Sequence, residues 1–98
     1  MYNEFGDTIR NRRVELILTL KELSEITNFS IPYLSDIENN RKTPSNNKTL
    51  KILSNALNIN LEYLKYISNK TNLIILLSKY TDDDLKIKEI IKILDYKD

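Results

Sequence analysis

No cysteine and no histidine occur among the 98 residues of this chain. Without cysteine there is no disulfide framework and no thiol nucleophile. Without either residue type, the ordinary zinc ligand sets and most nucleophile–base pairs are unavailable. A single glycine leaves no Gly-rich loop to set beside the acidic residues, and no hairpin signal. The longest apolar run, residues 73–77, is far too short to span a bilayer. The opening residues, MYNEFGDTIRNRR, lack the basic start and apolar stretch of a signal peptide. These absences point to a cytoplasmic protein without cofactor, metal or membrane partner, and they argue against an enzyme.

What is present suits one small all-α domain with a short appendage. Apolar residues make up 41% of the chain, enough for one compact core, and charged residues 30%. The net charge of +1 is not that of an obvious nucleic-acid binder. The distribution says more than the sum. Arg10, Arg12 and Arg13 cluster, and residues 41–51 hold Arg41, Lys42, Lys48 and Lys51 with no acid among them. Acids gather elsewhere, at Asp82, Asp83 and Asp84. Each run taken alone is equally well a solvated face.

Residues 19–44, TLKELSEITNFSIPYLSDIENNRKTP, carry the strongest pattern. Thr19 with Glu22 is a capping box that opens a helix, in which Leu20, Leu23 and Ile26 recur at helical spacing. Asn28 is placed to turn the chain, because Asn tolerates the left-handed conformation. Ser30 caps a further helix, with Pro32 in its first turn. Two helices joined this tightly leave one face of the second exposed, the geometry that enters a DNA major groove.

Around this pair the spacing predicts more helices. Residues 5–16 form a first helix with Phe5, Ile9 and Leu16, and Val14 nearby, facing inward. Asn39-Asn40 and Thr43-Pro44 are breaks. Ser45 caps a helix carrying Leu50, Leu53, Ala56 and Leu57, which Asn58 ends. Asn60 caps a short fifth helix with Leu61, Leu64 and Ile67. Ser68, Asn69, Lys70 and Thr71 form a polar joint. Residues 73–80 are helical, or a buried strand. Thr81 with Asp84 caps a last helix lined by Ile87, Ile90, Ile91 and Leu94.

The pieces Ile9-Arg10 and Arg13, Leu23-Ser24-Glu25, Tyr33-Leu34-Ser35-Asp36-Ile37-Glu38, Arg41, Pro44 and residues 50–57 together resemble the helix-turn-helix domain of phage repressors and Cro, the XRE family. The resemblance covers roughly residues 5–66, and the YLSDIE run is most similar to the branch with SinR-like repressors. It implies a five-helix repressor-type domain in residues 1–67 and a C-terminal helical extension in residues 68–98. Three family glycines are replaced, by Ile17, Asn28 and Asn40. Asn suits a left-handed position; Ile17 does not, so that connection is expected to follow another backbone path. Leu20 stands where a polar residue commonly touches phosphate. The resemblance implies an ion pair between Arg13 and Glu38 with a structural role, and a backbone grip from Arg41, Lys42 and Thr43.

The outward face of the recognition helix carries Ile31, Pro32, Ser35 and Asp36, with Tyr33 and Asn39 at its edges, while Leu34 and Ile37 face the core. Ile31 and Pro32 suit thymine methyls. Ser35 serves base or phosphate. Asp36 either accepts from cytosine N4 or makes a local salt bridge with Arg41. Tyr33 either meets the DNA backbone or packs on the second helix. The N–H groups at Thr19 and Ser30 suit phosphate oxygens, and Lys48 is a further phosphate contact. A single such domain offers a small interface, about 600–1,000 Å², so double-stranded DNA would be bound by a homodimer. Leu73, Ile74, Leu76 and Leu77, with Ile87, Ile90, Ile91 and Leu94, supply a dimerisation surface, fold back on their own domain, or bind a partner protein such as a toxin or an antirepressor. The expected function is a DNA-binding transcriptional regulator, a repressor by family expectation. The alternatives are an autoregulating antitoxin or a controller protein of a restriction–modification system.

Overall fold

The computed structural model describes residues 4–79, with positions 89 and 92. It contains α1 (Glu4–Glu15), α2 (Leu20–Thr27), α3 (Ile31–Glu38), α4 (Asn47–Leu57) and α5 (Leu61–Ser78). No strand occurs among the described residues, so the all-α expectation holds, and the strand alternative falls over the described part of that segment, residues 73–79. The capping signature at Thr81 and Asp84 and the stripe of Ile87, Ile90, Ile91 and Leu94 lie outside the described residues.

The helices close around Phe5, Ile9, Leu23, Leu34, Ile37, Leu50, Leu53, Leu57, Leu64 and Ile67, all essentially inaccessible to solvent. Burying one such side chain contributes roughly 1.5–3 kcal/mol, against about 1 kcal/mol for a helix cap. The core therefore holds the helices together, and the caps decide where each begins and ends.

The inward stripe expected on α1 stops at Ile9. Val14 and Leu16 are 59% and 38% exposed. The helix ends at Glu15, and its last inward positions belong to two arginines instead. Arg12 Nε donates to the Leu57 carbonyl at 2.8 Å, capping the end of α4, and Arg13 reaches across to α3.

The α1–α2 connection corrects a second expectation. Ile17 does adopt the left-handed conformation, at φ 58°. The amide of Leu18 donates to the Arg13 carbonyl and that of Ile17 to the Val14 carbonyl, at 3.0 and 2.9 Å. These two bonds form a Schellman cap, which demands a left-handed residue at this position. The helix end sets the backbone here, and the β-branched side chain bears the strain.

The α2–α3 turn is built twice in the chain. Asn28 takes φ 64° and its amide donates to the Ser24 carbonyl, while the Ser24 hydroxyl donates to the Phe29 carbonyl. At the α4–α5 turn Asn58 takes φ 52°, its amide donates to the Ser54 carbonyl, and the Ser54 hydroxyl donates to the Ile59 carbonyl. Ser30 and Asn60 then cap the following helices, accepting from the amides of Tyr33 and Tyr63 at 3.2 and 2.9 Å. The sequences correspond: residues 19–24 read TLKELS and residues 49–54 read TLKILS.

Two boundaries differ from those expected. Asn46, not Ser45, caps α4, its side-chain oxygen accepting from the amides of Lys48 and Thr49. The loop before it is tethered at Thr43 and Pro44, which leaves Ser45 short of the cap position. The polar joint at Ser68, Asn69, Lys70 and Thr71 is helical, and α5 runs through it unbroken. No glycine or proline interrupts this stretch. Ser68 and Thr71 are buried, small enough for α5 to lie close to its neighbours. The Ser68 hydroxyl donates to the Pro44 carbonyl at 2.6 Å, Asn72 Nδ2 to the Thr43 carbonyl at 3.4 Å, and Lys70 pairs with Glu4 at 3.4 Å. No helix among the described residues is long and apolar enough to cross a membrane.

Candidate nucleic-acid interface

α3 is held from beneath by a buried ion pair. Arg13 Nε and Nη2 donate to the two carboxylate oxygens of Glu38 at 2.7 and 2.9 Å, and Nη1 donates to the Leu18 carbonyl at 2.8 Å. The Glu38 and Arg13 side chains are 2% and 14% exposed. The Glu38 hydrogen bond pushes the Arg13 pKa further up and outweighs the opposing effect of burial. Arg10 adds a longer contact to Glu38, at 3.6 Å. One guanidinium therefore ties α1, the α1–α2 turn and the end of α3 into one frame.

Leu34 and Ile37 point into the core, so the opposite face of α3 looks outward. Ile31, 43% exposed, and Pro32 open that face. Ser35 lies a turn later, and the Asn39 side-chain amide folds back onto its carbonyl and hydroxyl at 2.8 and 3.3 Å. Tyr33 is half-buried at the edge, its ring 5.3 Å from that of Phe29 in an edge-on arrangement. Lys42 Nζ sits 5.6 Å from the same ring centroid.

The exit loop turns back onto α3. Asn40 is left-handed at φ 60°. The amides of Arg41 and Lys42 both donate to the Asp36 carbonyl, at 2.8 and 3.2 Å. Their side chains converge on the carboxylate of the same residue, Arg41 Nε at 2.8 Å and Lys42 Nζ at 3.8 Å. The Arg41 hydrogen bond holds the Asp36 carboxyl below its ordinary range. Lys48 stands exposed in the first turn of α4.

Two expected phosphate contacts sit differently. The Thr19 amide already donates to Glu22 Oε1 at 3.0 Å, and Glu22 places its negative charge where an anion would approach. The capping box that starts α2 thereby occupies the amide assigned to DNA. The Thr43 hydroxyl faces inward, buried and without a hydrogen-bond partner. The α5 tether through Asn72 draws Thr43 under the helix. Ser30 remains exposed, its hydroxyl engaged by the Tyr33 amide.

Sequence reasoning missed Ser68 and Asn72, which fasten the exit loop from α5, and Arg12, which caps α4. Absence of any breaker between Asn60 and Lys79 was the available signal for the continuous α5.

Comparison with known proteins agrees with this geometry. A family model described as helix-turn-helix matches residues 9–64. The ImmF control region 10 kDa protein of Bacillus phage phi105 is 39% identical over 62 residues, covering 63% of this chain and 68% of that protein. No solved structure matches. The family match takes in Arg13, α2, α3, Glu38 and the exit loop, and the chain belongs to the XRE-type helix-turn-helix family of DNA-binding transcriptional regulators.

Proposed function

We propose that the protein represses transcription by occupying an operator as a homodimer, with α3 of each protomer in the major groove. The observation that carries this reading is the clamped, outward-facing α3. Arg13 and Glu38 fix its angle, and Arg41, Lys42 and Lys48 lie beside its exit. A rigid helix flanked by cations separates the two tasks of a DNA reader, since phosphate contacts position and base contacts specify.

Ile31 and Pro32 offer apolar contact to thymine methyl groups, and Ser35 with Asn39 offers hydrogen bonds at the next turn. Most affinity comes from phosphate neutralisation, which makes binding salt-dependent. In this reading residues 1–67 bind DNA, and of residues 68–98 the inward side of α5 braces the exit loop while the outward side serves association. Ile74 is buried within its own chain, whereas Leu73 and Leu77 are half-buried and Leu76 is 48% exposed. Leu76 is thus the described tail residue best placed to meet a second protomer. The phage relative, named for a control region, supports a regulatory role.

Selection from random DNA with the full-length protein, paired with light scattering, tests the proposal. The expected result is a dimer and a palindrome whose half-sites lie about 34 Å apart, or a multiple of that. An unenriched pool, or a monomer bound to a lone half-site, overturns it.

A further inference from the structure

Asp36 sits on the face of α3 that must approach DNA, yet it is acidic and already engaged. Its carboxylate takes Arg41 at 2.8 Å and Lys42 at 3.8 Å. The pairing is enforced by the backbone as well. The Asp36 carbonyl accepts from the amides of both residues, and the amide of left-handed Asn40 donates to the Ile37 carbonyl at 3.1 Å. Those bonds form a Schellman cap, so the turn that ends α3 delivers both cations to one carboxylate. The cations stay accessible: the Arg41 and Lys42 side chains are 61% and 59% exposed, against 29% for Asp36. A phosphate arriving beside α3 therefore meets cations that already have an anionic partner.

A phosphate beside α3 competes with Asp36 for Arg41, whose Nε the carboxylate already holds. One charge-assisted bond replaces another, so the exchange yields little net attraction. It also leaves the carboxylate with Lys42 alone, at 3.8 Å, while it faces a polyanion. A base-edge donor can take the vacated place, and in the major groove the donors are the amino groups of cytosine and adenine. A site with such a group lets both bonds form; a site without one leaves that place empty.

We infer that Asp36 determines specificity by competition: it withholds Arg41 and Lys42 from random DNA and releases them where a cytosine or adenine amino group takes their place on its carboxylate. The inference rests on α3 being the DNA-reading helix. Asp36 thereby joins its two alternatives, base acceptor and salt-bridge partner, as successive states of one residue.

The test uses full-length protein, a selected operator and a random-sequence duplex, each titrated across a salt series. Asp36→Asn and Asp36→Ala should bind the random duplex about three- to fivefold tighter at low salt, because the freed cations become available to phosphate. The salt slope should steepen by about one, and the operator-to-random affinity ratio should shrink about tenfold. The same substitutions placed on an Arg41→Ala/Lys42→Ala background should give little tightening, since no withheld cation remains. Equal tightening with and without the two cations reveals simple repulsion between Asp36 and DNA, and overturns the competition. Random-duplex affinity unchanged by either Asp36 substitution also overturns it, while leaving α3 as the reader. Wild-type protein that enriches no sequence removes the underlying reading, and the inference with it.

Discussion

The amide of Gly6 donates to the side-chain oxygen of Asn40 at 3.1 Å, joining the first turn of α1 to the left-handed residue that ends α3. Amides in a first helical turn have no intrahelical acceptor, and here a distant residue supplies one. The approach depends on the missing side chain. A Cβ on Gly6 would stand 2.5 Å from Asn40 Oδ1 and 2.6 Å from the Ile37 carbonyl oxygen. The only glycine of the chain thus lies where the framework helix touches the end of the recognition helix.

Gly6→Ala should therefore destabilise the fold by about 1–3 kcal/mol, the usual range for overpacking a tight contact. The Ile37 carbonyl is backbone and cannot swing aside as a flexible side chain would. Urea denaturation measures the change. Undiminished stability would show that α1 and α3 separate without cost.

Glu38→Ala should cost about 3–5 kcal/mol, because it leaves the largely buried Arg13 guanidinium without its carboxylate. A double-mutant cycle with Arg13→Ala isolates the pair. If the interaction energy is near zero, the bidentate contact does not support α3, and its orientation must come from the core alone.

Ile17→Gly should stabilise the protein. A β-branched residue in the left-handed region carries strain of roughly 1–2 kcal/mol, part of which glycine returns as unfolded-state entropy. The side chain is 88% exposed, so its removal sacrifices little packing. A net gain near 1 kcal/mol corresponds to a Tm rise of about 4–8 °C in a domain of this size. A lower Tm would mean that the exposed side chain makes a stabilising contact.

Glu22 links the α2 cap to acid stability. Its carboxyl is held below its ordinary pKa of 4.5, first by the Thr19 amide and then by the Thr19 hydroxyl. A lowered carboxyl pKa stabilises the fold fully above 4.5, and the contribution is lost as pH falls through the folded-state value. Glu22→Gln keeps an acceptor for the Thr19 amide but does not titrate. Its stability should fall less steeply than wild type below pH 4.5. Superimposable acid limbs would exclude Glu22 as a contributor.

Local chemistry was legible in the sequence. Thr19, Ser30 and Asn60 cap helices where their neighbours predict, and Asn28, Asn40 and Asn58 turn the chain left-handed. The apolar spacing located most of the core. Side chains that answer to distant partners were less legible. Val14 and Leu16 fit the stripe of α1, but Arg12 and Arg13 take the inward positions because carbonyl and carboxylate acceptors await them on α4 and α3. Ser68 and Thr71 look like a joint only while their burial is unknown. The Thr19 amide resembles a phosphate donor until Glu22 is seen to occupy it.

By itself, then, the sequence determined the family, the order of the first four helices and the residues that face outward on α3. Those features follow from caps, breakers and periodicity, which act within a few residues. Only the tertiary structure decided how the reading surface is wired. The resemblance implied the Arg13–Glu38 pair and left Arg41 as one partner for Asp36, but only the packed helices show Arg12 capping α4, α5 tethering the exit loop at Thr43 and Pro44, and Lys42 joining Arg41 on Asp36. Hydrogen bonds and ion pairs of this kind depend on distances of a few tenths of an ångström, which are set by how the helices pack and not by the order of residues along them.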